Sequence, residues 1–211
     1  MYDLNKKFIF THPPKCGGTS IEDLFGFLQL REKYPSVNAF KHASLKTHLE
    51  HLTNKGVDAE SFLKFSIIRN PWDRAVSFYN HNKYKEYNYF TNEAVNKEVP
   101  QHIKDSRQMT FKEFVLKYYK NDFNSEVVTK PYMCLQDKFS LDYVVRLENL
   151  EEDLFIIKDK LHLELNQNIP HINNSDKFLK RKPYKEYYDK ETIKVVEKLF
   201  EWDINNFGYT F

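Results

Sequence analysis

A chain of 211 residues is long enough for one substantial core, and 41% hydrophobic with 16% aromatic residues excludes global disorder. A formal net charge of +2 excludes a uniformly basic surface that coats nucleic acid, while leaving room for a local basic cleft. Two cysteines, Cys16 and Cys134, are too few for a disulfide framework or a structural zinc site and fit a reducing compartment. The chain enters its first strand without a charged-then-apolar leader, and no run approaches membrane-spanning length. The expectation is a single domain over 1–211 with no membrane span.

Phe8-Ile9-Phe10 reads as a buried strand, stopped by Pro13-Pro14, which cannot donate to a sheet ladder. Lys15, Cys16, Gly17, Gly18, Thr19 and Ser20 follow. Thr19 or Ser20 is expected to cap a helix carrying Ile21, Leu24, Phe25 and Leu28 on one face. Arg31–Phe40 reads as a connector with a short strand near Val37–Phe40. A helix over Leu45–Lys55 should end at Gly56, with His48 and His51 on its solvated side. Phe62–Arg69 is the second strong strand. It opens into Asn70-Pro71-Trp72-Asp73-Arg74, where Asp73 is the expected cap of a helix running to about Lys83.

Residues 82–108 lack periodicity and read as an irregular, acceptor-side insertion. Thr110-x-x-Glu113 is a capping box before the helix Phe111–Lys120, and Asn121–Thr129 is loop. Phe139–Arg146 holds a third strand, and Asn149-x-x-Glu152 caps the helix after it. Residues 166–183 read as a lid loop. Asp189 caps one final helix through Ile193, Val196, Phe200, Ile204 and Phe207, and Gly208 ends it. Strands alternating with helices predict an α/β fold, a P-loop-like three-layer sandwich with a central parallel sheet and helices on both faces. Ligands of such sheets sit outside the carboxyl ends of the strands, where the loops at Lys15 and Arg69 both lie.

Strand, glycine-bearing turn and helix start together make an anion cradle. The order differs from a Walker loop, because Lys15 precedes Gly17-Gly18. The second strand ends in Arg69 where a magnesium-dependent kinase needs Asp. A guanidinium recognises phosphate through paired hydrogen bonds, so Arg69, with Ser77 one turn into the following helix, suits a second anionic group. A ligand anionic at two separated ends is implied.

Pro14-Lys15-Cys16-Gly17-Gly18-Thr19-Ser20 resembles the 5′-phosphosulfate loop of sulfotransferases, and Arg69–Tyr79 resembles their 3′-phosphate motif. Tyr143–Asp153 is similar to a segment of the carbohydrate branch of the family, a branch that includes Golgi-type and bacterial enzymes. So are His171-x-Asn173-x-Ser175, Tyr184-x-x-Tyr187-Tyr188 and Phe207-Gly208-Tyr209. The resemblance implies transfer of a sulfuryl group from 3′-phosphoadenosine 5′-phosphosulfate (PAPS), with PAP as product and no metal, to a hydroxyl of a carbohydrate acceptor. The cysteine usage and the start of the chain carry the expectation of a cytoplasmic location for a complete chain, and of the Golgi lumen for one trimmed from an anchored precursor.

By the same resemblance Lys15 contacts the bridging oxygen, and Gly17, Gly18, Thr19 and Ser20 bind the 5′ group. Cys16 replaces a hydroxyl residue and retains only a backbone contact. Arg69 and Ser77 bind the 3′-phosphate. Apart from the resemblance, the basic run Lys180-Arg181-Lys182 before Pro183 suits either a cover over the nucleotide, through Arg181, or a solvated loop. In-line displacement at sulfur needs a base. His42 is the first candidate, Glu22 or Asp23 the second, and His12 shapes the loop. Tyr84, Tyr87, Tyr89 and Phe90 with Lys83, Lys85 and Lys97 suit a sugar or anionic glycan. Two other readings stay open: a nucleotide-dependent phosphotransferase requiring magnesium, and a non-catalytic nucleotide- or glycan-binding module.

Overall fold

Phe8, Ile9, Phe10 and Thr11 are all buried, as expected of a strand covered by helices on both faces. In this computed structural model residues 1–27, 40–84, 100–120, 128–162 and 181–211 are described. They fall in two compact units, Met1–Arg69 with Ser125–Asn174, and Asn70–Asn124 with Ser175–Phe211. The expected strand at Val37–Phe40, residues 85–99 of the insertion, 166–180 of the lid loop and the His171 motif lie wholly or mainly outside the described residues.

The first unit holds the sheet. Strand β1 (Tyr2–Asp3) pairs antiparallel with β2 (Phe8–Thr11), which pairs parallel with β3 (Leu63–Ile68). A hairpin of β4 (Cys134–Leu135) and β5 (Lys138–Phe139) precedes β6 (Tyr143–Arg146), which pairs parallel with β3 and completes the order β1-β2-β3-β6. Alternation along β2 sorts its side chains between two cores. Phe8 and Phe10 face Ile21 and Phe25 of the helix region after β2, together with Leu150, Leu154 and Ile157. Ile9 faces Leu45 and Leu52 on the other side. The covering helices are α1 (Gly18–Leu24), α2 (Leu45–Asn54) and, after the short α6 (Lys130–Met133), α7 (Leu150–Lys160). The Phe65 ring lies within 6.2 Å of the rings of Phe8, Phe10 and Phe25 and centres the first core.

The second unit is helical: α3 (Pro71–Tyr84), α4 (Gln101–Gln108), α5 (Phe111–Tyr118), α8 (Lys190–Leu199) and α9 (Glu201–Phe207). Its core is aromatic, with Tyr79 edge-on to Phe111, Tyr119 edge-on to Phe200, and the Arg74 guanidinium over Phe200 at 5.5 Å.

Several local expectations are replaced. Gly17, not Thr19 or Ser20, is the N-cap of α1, so both hydroxyl residues lie inside its first turn. Asn70 rather than Asp73 caps α3, its side-chain oxygen accepting from the N–H groups of Trp72 (3.1 Å) and Asp73 (3.2 Å). Asn149 is the N-cap of α7, but no side-chain bond caps that helix. The single final helix is two, α8 and α9, meeting at the fully buried Phe200. Part of the insertion is regular: α3 continues to Tyr84, and α4 buries Ile103, Asp105 and Ser106. That face is largely polar, so hydrophobic periodicity does not reveal it. His48 is fully buried rather than solvated, because it shares the α2 face of Leu45 and Leu52. The capping box at Thr110 forms as expected, and Asp189 caps α8 as expected, with Thr192 completing a capping box outside that expectation.

Two stability outcomes follow from this packing. Phe65→Ala should cost about 3–5 kcal/mol in urea unfolding, since a fully buried ring leaves a cavity. Asp105 accepts from Lys117 and from Tyr118 (2.6 Å) and Gln101 (2.7 Å), and these bonds, that of Lys117 foremost, hold its carboxyl at about 2, below the ordinary 3.8. A depressed carboxyl stabilises above its unfolded value and loses that contribution as pH falls through the folded one. Asp105→Asn should therefore lower the urea midpoint at neutral pH. Its deficit against the wild type should narrow as pH falls from about 4 toward 2.

Candidate active site

The loop from His12 to Gly17 joins β2 to α1 at the carboxyl end of the parallel strands. Lys15 takes φ 66° and Gly17 φ 85°, both left-handed. For lysine this backbone costs about 1–2 kcal/mol. The conformation is held by its neighbours: Cys16 N–H turns back to Pro13 O (3.4 Å), and Arg69 Nη1, from the end of β3, donates to Lys15 O (3.3 Å). Both glycines are sterically required. A Cβ on Gly17 would lie 2.5 Å from Leu147 Cδ1, and one on Gly18 would overlap the His12 imidazole. The first turn of α1 carries no acidic residue, unlike the first turns of α3 and α7, so the dipole end facing the loop is not neutralised by its own helix. Cys16 is fully buried in the core with its thiol directed at Pro14 O (3.7 Å).

Behind the loop lies a polar cluster. His12 and Glu22 are both buried, and His12 Nδ1 is 2.5 Å from Glu22 Oε1. A carboxylate only accepts, so Nδ1 carries the proton. Burial lowers the His12 pKa to about 4 against the opposing bond from Glu22, and the ring is neutral near pH 7. Lys41 Nζ stands 3.9 Å from Glu22 Oε2. His42, on the exposed surface, donates from Nδ1 to His12 O (2.7 Å), and its ring meets the His12 ring edge-on at 4.7 Å. A carbonyl also only accepts, so neutral His42 presents its lone pair at Nε2. Asp23, partly exposed on α1, has no place in the bonds that tie Glu22 to His12.

The first unit therefore brings together Lys15, Cys16, Gly17, Gly18, Thr19, Ser20, Arg69 and His42. Ser77 and Arg181 belong to the second unit. Ser77 is buried on α3, and Arg181, nearly inaccessible, is ion-paired with Asp73. The segment Tyr143–Asp153 is accounted for within the first unit: Asp153 accepts from Tyr143 Oη (2.9 Å) and from Arg146 N–H (2.6 Å), fixing how β6 leads into α7.

Residues 1–210 match the model of the sulfotransferase family. The chain belongs to the sulfotransferase family. No curated protein matches it in sequence. Among solved structures it is similar to the mouse sulfotransferase SULT7A1, determined in complex with PAP, at 14% identity and a TM-score of 0.50. That likeness spans 97% of this chain and 87% of the mouse chain, and it establishes the P-loop-like sulfotransferase fold. Among the described residues no helix is long and apolar enough to cross a membrane.

Sequence reasoning missed the pairing of His12 with Glu22 and the part played by Lys41. A strand-end histidine and a carboxylate ten positions later carry no motif, and only the fold brings them together. The adjacent glycines were the visible sign of the crowding. Gly18→Ala should cost about 1–3 kcal/mol in chemical denaturation by overpacking against His12. Combined with His12→Ala it should cost less than the sum of the two single losses, because the ring that clashes is gone.

Proposed function

We propose that the chain transfers a sulfuryl group from PAPS to a hydroxyl of a carbohydrate acceptor. The observation that carries this reading is the bond from Arg69 to the Lys15 carbonyl. It places a guanidinium and an ammonium-bearing residue on one peptide edge at the strand ends, where a magnesium-dependent enzyme would carry an aspartate. Two cations suit a donor anionic at both ends. Lys15 stabilises charge on the departing phosphate. Backbone N–H groups around Gly17 to Ser20 bind the 5′ group, and Arg69 takes the 3′-phosphate. The assignment of Ser77 to the nucleotide rests on the family motif, and that of Arg181 on its place in the basic run Lys180-Arg181-Lys182.

His42 Nε2 takes the proton of the acceptor hydroxyl as its oxygen bonds to sulfur and the sulfur–oxygen bond to the phosphate breaks. Exposure of His42 and its fixed tautomer favour it over Glu22, whose carboxylate is fully buried and already bonded to His12. The carbohydrate acceptor is supported by the likeness of Tyr143–Asp153 to the carbohydrate branch. It is also supported by exposed Tyr84 with Lys83 Nζ over its ring at 5.8 Å, an aromatic face with a cation beside it.

Saturating PAP should raise the thermal midpoint of the wild type, by the equivalent of about 2.7 kcal/mol at a hundred times its Kd. Absence of any shift would remove the donor assignment. Arg69→Ala should lose most of that protection. His42→Ala should keep it while turnover in a labelled-sulfate assay across glycans falls about 100-fold or more. Undiminished turnover would exclude His42 as the base.

A further inference from the structure

Glu22 has no part in the transfer just described, yet it is an expensive residue to place. Its carboxylate has no exposed surface, and a buried charge is unfavourable unless bonded on every side. An apolar pair at positions 12 and 22 would fill the same space at lower cost. Two of its partners lead toward His42. Oε1 accepts from His12 Nδ1 at 2.5 Å, and Lys41, the neighbour of His42 in sequence, stands 3.9 Å from Oε2.

His12 in turn touches His42 twice. Its carbonyl accepts the Nδ1–H of His42 at 2.7 Å, and its ring packs edge-on against the His42 ring at 4.7 Å. The His12 ring also lies against Gly18, which has no room for a Cβ, and stacks on Phe10. A ring pinned by Glu22 and by the first residue of α1 cannot turn. The carbonyl and ring edge it offers to His42 are then fixed as well.

We propose that Glu22 and His12 are positioning residues that hold exposed His42 in the Nδ1–H tautomer, with Nε2 presented as the proton acceptor. The inference rests on the reading of His42 as base. The groups that face the His12 ring are Glu22 from α1, and Lys41 and His42 from the segment before α2.

The primary test is the tautomer of His42, read from its ring nitrogens by NMR and independent of any turnover. The wild type should show Nδ1–H. Glu22→Gln keeps an acceptor for His12 and should keep that tautomer, with kcat within about twofold of the wild type. Glu22→Leu keeps the buried volume but removes the acceptor, and should give a mixed tautomer. It should also lower kcat about tenfold, a part of the ~100-fold or more that a positioned base supplies. The thermal shift with PAP should persist in Glu22→Leu.

In a His42→Ala background Glu22→Leu should cost less than about twofold further, since it acts through the missing ring. A wild-type His42 in the Nε2–H tautomer would overturn the proposal, a measurement that needs no variant to fold. So would a Glu22→Leu protein with unchanged tautomer or unchanged kcat, or an equal kcat loss in both backgrounds. A wild type that fails to respond to PAP while the tautomer results hold would sink the donor assignment and leave the positioning of His42 standing.

Discussion

No Cβ can be added at Gly17 or Gly18 without moving Leu147 or His12, and much of the first unit is arranged around that crowding. Leu147 follows the end of β6, His12 follows the end of β2, and Arg69, which follows β3, bonds to the same loop through Lys15 O. All three parallel strands thus deliver a residue against a few consecutive peptides. The left-handed backbone of Lys15 persists because its surroundings over-determine it. Rigidity of this kind is what an anion cradle requires, since donors that must reorganise on binding forfeit much of their value.

Charge is distributed with the same economy. The carboxylate of Glu22, on the helix that follows the loop, is buried and shared between His12 and Lys41. The first turn of α1 is left without acidic residues. Acidic side chains are instead placed at helix starts elsewhere, as with Glu151, Glu152 and Asp153 on α7, where they complement a dipole. A chain with near-neutral total charge can hold a strongly cationic loop because its anions are kept out of that loop.

The three parallel strands, the capping box at Thr110 and the cap at Asp189 were legible in the sequence, since each depends on residues close together in the chain. The cap at Asn70 was misplaced by three residues because Asp73 is an equally good capping type and local pattern does not choose between them. His48 was read as solvated because a lone histidine among polar neighbours looks exposed until its helical register is fixed. Helix α4 was invisible because Asp105 and Ser106, not apolar residues, fill its buried face. The His12–Glu22 pair could not be read at all: its two members are noncontiguous, and neither belongs to a motif.

The cap of α3 has a further consequence. Asn and Asp cap helices about equally well, so capping alone does not favour the amide at position 70. An aspartate there would set a full negative charge directly beside Arg69 in the chain and would lose the donor that Asn70 gives to Thr210 O at 3.3 Å. The neutral cap satisfies the helix end without adding a negative charge next to Arg69 in the chain. Position 70 thus separates two roles that an acidic residue would have confused, following a strand-end cation with a neutral cap and leaving the first acidic residue of the helix to Asp73, which pairs with Arg181.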